Sequence, residues 1–291
     1  MNSKAIAVYV DDRSHLRDEF NVLYESYLYN KLDDQFDIIL FYAPSKDSKI
    51  FIERFADKST MIFQPCESIS NIPTHLFYNY HFINSIHALS TPTAEFILKK
   101  YQYVLKTDCD VVLTKNVLDW HPAFFTTGVG QYVCDDTTRN KIQEFANSHN
   151  IRNNMENLGA TWFGAGHLVF EACVYTMKYA TEMYQDWWKD GDEGMWPSLY
   201  RGVVSMYASQ MGIQKVCQRV ETSLEIDADC TRGSIQNVKS IHFWHTNQDF
   251  DKYKWHANKY AAKIQEYILE DVPSDQVPDY IFFMVAKAKN V

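Results

Sequence analysis

"VLKTDCDVVL" (residues 104–113) sets two carboxylates, Asp108 and Asp110, two positions apart inside a run that otherwise reads as a buried strand. A period of two places both on one face of that strand, with Cys109 turned away. Like charges held about 6 to 7 Å apart repel unless positive charge lies between them, and a divalent cation is the simplest answer. Oxygen donors of this kind suit Mg2+ or Mn2+, which bind one or two carboxylates and take their remaining ligands from water and substrate phosphates. The ligand expected beside the cation is a nucleotide diphosphate. An isolated Asp-x-Asp is often a helix cap, a turn or a solvated strand end. The flanking "YVLK" and "VVL" weaken that alternative, because buried unpaired carboxylates are costly.

Outward from this strand, the N-terminal half alternates short apolar runs with helical spacing, the pattern of an α/β fold on a mainly parallel central sheet with helices on both faces. "AIAVYV" (5–10) reads as a first strand, residues 15–30 as a helix with Phe20, Leu23 and Tyr27 on one stripe, and "FDIILFYA" (36–43) as a second strand. A third strand is expected over 59–65, a helix over 73–89, and the 103–113 run is the fourth strand. Sheets of this kind bind ligands beyond the carboxyl ends of their strands, and two acidic pairs fall there: Asp11 with Asp12, and Asp108 with Asp110. Neither GxGxxG nor GxxxxGK[ST] is present, so a dinucleotide fingerprint or a P-loop has no support.

The second half is less regular. "GVGQYVC" (128–134) reads as a strand, residues 138–150 as a polar helix, and "GATWFGAGHLVF" (159–170) as a glycine-punctuated strand and turn where backbone approaches a ligand. A helix carrying Ala172, Tyr175, Tyr179 and Met183 on one face follows. Another helix is expected to begin at Pro197 and end at Gly212. The whole of 1–291 reads as one unit: a nucleotide-binding half to about 113, an acceptor half over 114–250, and a helical extension over 251–291.

The chain has 291 residues, 46% apolar and 15% aromatic, enough for a full core, and its net charge of −9 argues against nucleic acid as a partner. The start "MNSKAIAVYVDD" lacks a secretory pattern, no apolar run is long enough to cross a membrane, and the six cysteines are scattered without CxxC pairs. A cytoplasmic protein without a membrane anchor is the expectation; oligomeric state is not readable.

A first strand ending in acidic residues, the βαβ rhythm, "TDCD" (107–110) and the later "NLGATWFGAG" together resemble GT-A fold glycosyltransferases with a DxD motif, over roughly residues 5–250. The order of "TDCD" and "WPSLYRGVVSMYA" (196–208) is also similar to virus- and alga-encoded glycosyltransferases, which would place the protein in a host cytoplasm. The resemblance implies a UDP-linked nucleotide-sugar donor, a carbohydrate or glycoprotein acceptor, and a Mn2+ or Mg2+ ion that stabilises the departing diphosphate. It implies Asp110 as direct metal ligand, Asp108 on the metal, its water or the ribose, and a C-terminal histidine as a further ligand. "SIHFWHTN" offers His242 and His245; His242 shares a strand face with Trp244, and His245 points the other way. A zinc site of Cys230, His242, His245 and His256 is a further possibility.

Val10, Asp11, Asp12 and Arg13 would sit over the nucleoside, although an Asp-Asp-Arg turn serves equally as a helix N-cap. Asn84 and His87, one helical turn apart, would face the donor sugar. Asp192 and Glu193, in "DGDEGMWP", are candidates for a catalytic base on the acceptor hydroxyl, or, in a retaining enzyme, for orienting the sugar. Their bland role is to complement the dipole of a following helix. A nucleotidyltransferase or phosphohydrolase would use the same carboxylates, but "VDDRSHLRDE" has no glycine where the former usually carries a Gly-rich loop. A non-catalytic carbohydrate-binding protein is the third reading.

Overall fold

The structure is a computed structural model that describes residues 2–188, 192–231, 233–243, 249–268 and 273–288. In chain order its regular elements are β1 (Lys4–Val10), α1 (Ser14–Tyr29), β2 (Phe36–Tyr42), α2 (Lys46–Glu53), β3 (Met61–Pro65), α3 (Asn84–Leu89), α4 (Pro92–Leu98), β4 (Tyr103–Lys106), β5 (Val111–Leu113), β6 (Phe125–Val129), α5 (Asp136–Ser148), β7 (Leu158–Gly164), α6 (Gly166–Asp186), α7 (Val204–Val216), β8 (Val220–Thr222), β9 (Ser240–His242), α8 (Lys252–His256), α9 (Ala261–Ile268) and α10 (Val277–Ala288). Seven strands form one sheet in the order β3-β2-β1-β4-β7-β6-β8, and β5 pairs with β9 in a second, two-stranded sheet. Within the large sheet β7 alone runs against its neighbours β4 and β6.

Both faces of the large sheet are buried, so its central strands read as continuous apolar runs. Alternate residues serve opposite layers. Ala5, Ala7, Tyr9, Ile39 and Phe41 pack with Val169, Ala172 and Ile213, while Ile6, Val8, Val10, Ile38 and Leu40 pack with Phe20, Leu23, Tyr27 and Phe55. A third apolar cluster joins Phe77, Tyr80 and Tyr132 to Tyr179, Met183, Tyr207 and Met211. The fourth is made by the C-terminal segment: Phe243 and Phe250, with Tyr280 and Phe282 of α10, close over Val22 and Val112.

Four expectations change. The 103–113 run is not one strand: β4 ends at Lys106, and Val111–Leu113 pairs instead with β9. A continuous ladder would drive "TDCD" between two apolar layers, and turning out of the sheet avoids that. The 73–89 segment is helical only over Asn84–Leu89, after a 3-10 turn at His81–Ile83; Asn79 is left-handed (φ 65°) upstream. The strand expected over 128–134 lies at Phe125–Val129, because the N–H groups of Tyr132 and Val133 both donate to Asn157 Oδ1 at 2.8 Å. The helix expected over 197–212 forms at Val204–Val216. Gly212 lies inside it, where a Cβ would stand 2.4 Å from Thr176 Oγ1, so the glycine permits close crossing of α6 and α7. An element beyond those expected is α4, which Thr91 caps and Pro92 opens.

Candidate metal centre

The register of the small sheet builds the site. Val111 pairs with His242, Leu113 with Ser240, and the Phe243 N–H donates to the Asp110 carbonyl at 3.1 Å. Asp110 therefore meets His242 directly: His242 Nε2 lies 3.2 Å from Asp110 Oδ1. Asp108, on the same turn, is part-exposed and 3.4 Å from Lys106 Nζ. Single donor atoms of Asp108, Asp110 and His242 all lie within 4.8 Å of one another, a spacing that fits a cation. Asp108 and Asp110 reach this arrangement from a turn, and not from one face of a strand, while His242 reaches it from the end of β9.

Burial makes the charges of the site interdependent. Asp110 is 6% exposed, and its other oxygen, Oδ2, accepts from Lys252 Nζ at 2.6 Å. Burial alone would raise its pKa, but the Lys252 ammonium and then His242 outweigh it and hold the carboxyl well below its usual range. Burial likewise works against protonated His242, yet Asp110 and Asp227 raise its pKa to about 10. His242 Nδ1 is 3.4 Å from Asp227 Oδ1. Asp227 in turn accepts from the Thr161 N–H at 2.9 Å and the Thr161 hydroxyl at 2.5 Å.

The close packing of Asp227 accounts for Gly128 and Gly159. A Cβ on Gly128 would stand 2.2 Å from Asp227 Oδ2, and one on Gly159 would stand 2.4 Å from the Gly128 backbone and 2.7 Å from Asp227 Oδ2. What approaches the backbone at Gly128 and Gly159 is the carboxylate bracing the histidine.

A second polar cluster stands at the end of β1. Asp11, 4% exposed, accepts from the Asp12 N–H at 2.9 Å, Ser68 Oγ at 2.6 Å and Asn84 Nδ2 at 3.3 Å. Asn84, 1% exposed, also donates to Ser68 and Ser70, and Ser70 is paired with His81. Asp12 is exposed and paired with Arg17 at 2.8 Å. Arg13 occupies the N-cap position of α1 without a side-chain cap bond, so neither aspartate caps that helix. The Val10 side chain is core, and its carbonyl accepts from the Ala43 N–H.

Asp192 and Glu193 are exposed and stand apart from both clusters in their bonding. Asp192 accepts from the Gly194 N–H, and Glu193 is ion-paired with Arg201. They do not begin a helix: α7 starts at Val204, beyond a loop tied by the Arg201 N–H to the Glu193 carbonyl. His87 is part-buried in α3. His245 lies outside the described residues. A zinc centre is not gathered among the described residues, since His256 pairs with Glu19 at 2.8 Å and the Cys230 thiol donates to the His242 carbonyl.

Sequence reasoning missed Asp227, Lys252 and Glu19. Nothing local marks the first two. Glu19 did carry a signal, because it precedes the buried Val22 and Leu23 by three and four positions, which puts a carboxylate on the apolar face of α1.

A crystal structure of the galactosyltransferase LgtC in complex with donor and acceptor sugar analogues superposes on this chain with a TM-score of 0.56, over 93% of this chain and 98% of LgtC, at 12% identity. An active-site mutant of LgtC superposes over the same shares with a TM-score of 0.53 and 12% identity. The central sheet with helices on both faces is thus the GT-A fold expected from the sequence. No curated protein matches the chain in sequence. No helix among the described residues is long and apolar enough to cross a membrane. Residues 2–290 match the model described as "Domain of unknown function (DUF7164)", and the chain belongs to that family.

Proposed function

We propose that the protein is a metal-dependent glycosyltransferase that moves a hexosyl or pentosyl group from a UDP-linked nucleotide sugar to a carbohydrate or glycoprotein acceptor. The observation that carries this reading is the convergence of Asp108, Asp110 and His242 within 4.8 Å at the carboxyl edge of a GT-A sheet. LgtC, with the same fold, was crystallised with donor and acceptor sugar analogues, which supports the class of partner. Two carboxylates and an imidazole suit Mn2+ better than Mg2+, which prefers an all-oxygen shell.

Asp110 and His242 would hold the ion directly, with Asp108 on the ion, its water or the ribose. When bound, the ion would neutralise the charge that grows on the diphosphate as the glycosidic bond breaks. Asp227 and Thr161 keep the His242 ring turned toward Asp110. Asp11 and Asp12, with Val10 and Arg13, would line the nucleoside, and the Asn84 amide donates to Asp11. Glu193 or Asp192 would serve the acceptor hydroxyl as base, or orient the sugar in a retaining enzyme. A cytoplasmic location, in a host cell if the protein is viral, goes with this reading. Free thiols at Cys66, Cys109, Cys134, Cys173 and Cys217 support a reducing compartment.

The test is product analysis with Mn2+ and a panel of nucleotide sugars, alongside Asp110→Ala. Release of UDP that requires metal and Asp110 is the expected result. Release of UMP or pyrophosphate would instead establish the phosphohydrolase or nucleotidyltransferase reading. Metal-dependent UDP binding without turnover of any donor would leave a non-catalytic binding protein.

A further inference from the structure

Asp110 has two oxygens, and both are engaged: His242 takes one at 3.2 Å and Lys252 the other at 2.6 Å. The two partners are not equivalent toward a divalent ion. A histidine can turn from ion-pair partner to ligand by losing a proton, whereas an ammonium has no lone pair and can only be displaced. Lys252 is also not a loose surface side chain. It is 17% exposed and opens α8, whose first turn is capped by the buried Asp251 through the N–H groups of Tyr253 and Lys254. The far end of α8 is tied to α1, where His256 Nε2 meets Glu19 Oε1 at 2.8 Å. Glu19 is 1% exposed, and its other oxygen accepts from the Cys109 thiol, on the residue between the two site aspartates. One buried carboxylate thus fixes both the turn that carries Asp110 and the helix that carries Lys252.

We propose that Lys252 is a built-in counter-cation that competes with the divalent ion for Asp110, neutralising the carboxylate when no metal is bound and withdrawing when metal arrives. The inference rests on the metal-site reading above. Metal affinity is then set by an exchange of cations at a buried carboxylate, and not by simple filling of a vacant acidic site. Removing the lysine charge tightens metal binding, the opposite of what loss of a supporting residue would do.

The experiment is titration of the full chain with Mn2+ alone, following free ion by electron paramagnetic resonance, for wild type, Lys252→Met, Lys252→Arg and Asp110→Ala. Lys252→Met is expected to bind Mn2+ at least tenfold more tightly than wild type. Lys252→Arg, which keeps the charge, should stay within about threefold of wild type, and Asp110→Ala should lose binding. Lys252→Gln substitutes for the Met variant if that protein does not fold. A crystal structure with Mn2+ should show Lys252 Nζ no longer in contact with Asp110. Equal or weaker binding in Lys252→Met, with wild type binding and Asp110→Ala not, overturns the exchange and leaves the metal site standing. No binding in either wild type or Lys252→Met sinks both.

Discussion

Asp11, just after β1, and Asp110, on the turn between β4 and β5, are both buried carboxylates, yet they are satisfied in opposite ways. Neutral donors surround Asp11: a backbone N–H, the Ser68 hydroxyl and the Asn84 amide, with His81 farther off at 3.8 Å. Asp110 is met by charge, His242 on one oxygen and Lys252 on the other. Hydrogen bonds from neutral groups fix a carboxylate's orientation without consuming its charge, which suits a rigid platform for a neutral base or ribose. Ion pairs leave the charge balanced only while the cations stay, which suits a place where cations are exchanged. On the function proposed above, the two carboxylates would divide the work of a donor site.

The comparison breaks most visibly if one of the two carboxylates is deleted. Asp110→Ala leaves His242 and Lys252 buried without their shared anion, and the expected loss is about 3 to 5 kcal/mol in urea unfolding, together with the Mn2+-dependent rise in Tm. Next in size is the pH response of the metal-free protein. The His242 pKa is raised from 6.5 to about 10, so its stabilising contribution is complete below pH 6.5 and is lost as pH rises through about 10. Melting temperature should fall across that window, and Asp110→Asn should flatten the slope; an unchanged slope would break the assignment of charge to His242.

Asp11→Ala should cost about 1 to 3 kcal/mol, since it strands the Ser68 and Asn84 donors but no charge. UDP affinity should drop while Mn2+ binding survives, as read by calorimetry with each ligand. Gly128→Ala pushes a methyl group against Asp227, with an expected cost of about 1 to 3 kcal/mol and weaker Mn2+ binding through the displaced His242 brace. The smallest effect belongs to Glu193→Gln, an exposed ion pair with Arg201, where unfolding should move by less than about 0.5 kcal/mol. If Glu193 is the base, donor turnover with acceptor falls all the same, which separates its role from that of Asp110.

Much of the first half was legible because its physics is local. Seven-residue strands that are apolar and buried almost throughout, and a helix stripe through Phe20, Leu23 and Tyr27, all lie within short windows of sequence. The second half was less legible because its boundaries answer to distant side chains. Asn157 ends the 125–129 strand by taking two N–H groups, and Tyr207 holds the loop that delays α7 until Val204. Pro197 and Gly212 looked like helix punctuation, yet the first lies in that loop and the second permits α6 and α7 to touch.

By itself the sequence determined an α/β sheet with acidic strand ends and marked Asp108 and Asp110, because apolar period and residue type are carried by neighbours along the chain; between His242 and His245 it left the choice open. Only the tertiary structure decided that Asp110 and His242, 132 residues apart, face each other, that Asp227 braces the ring, and that Lys252 holds the other oxygen. Those meetings depend on the register of β5 on β9 and on where α8 docks against α1. Such long-range pairings are selected by the balance of buried charge and packing over the whole fold, and no short window of residues contains that balance.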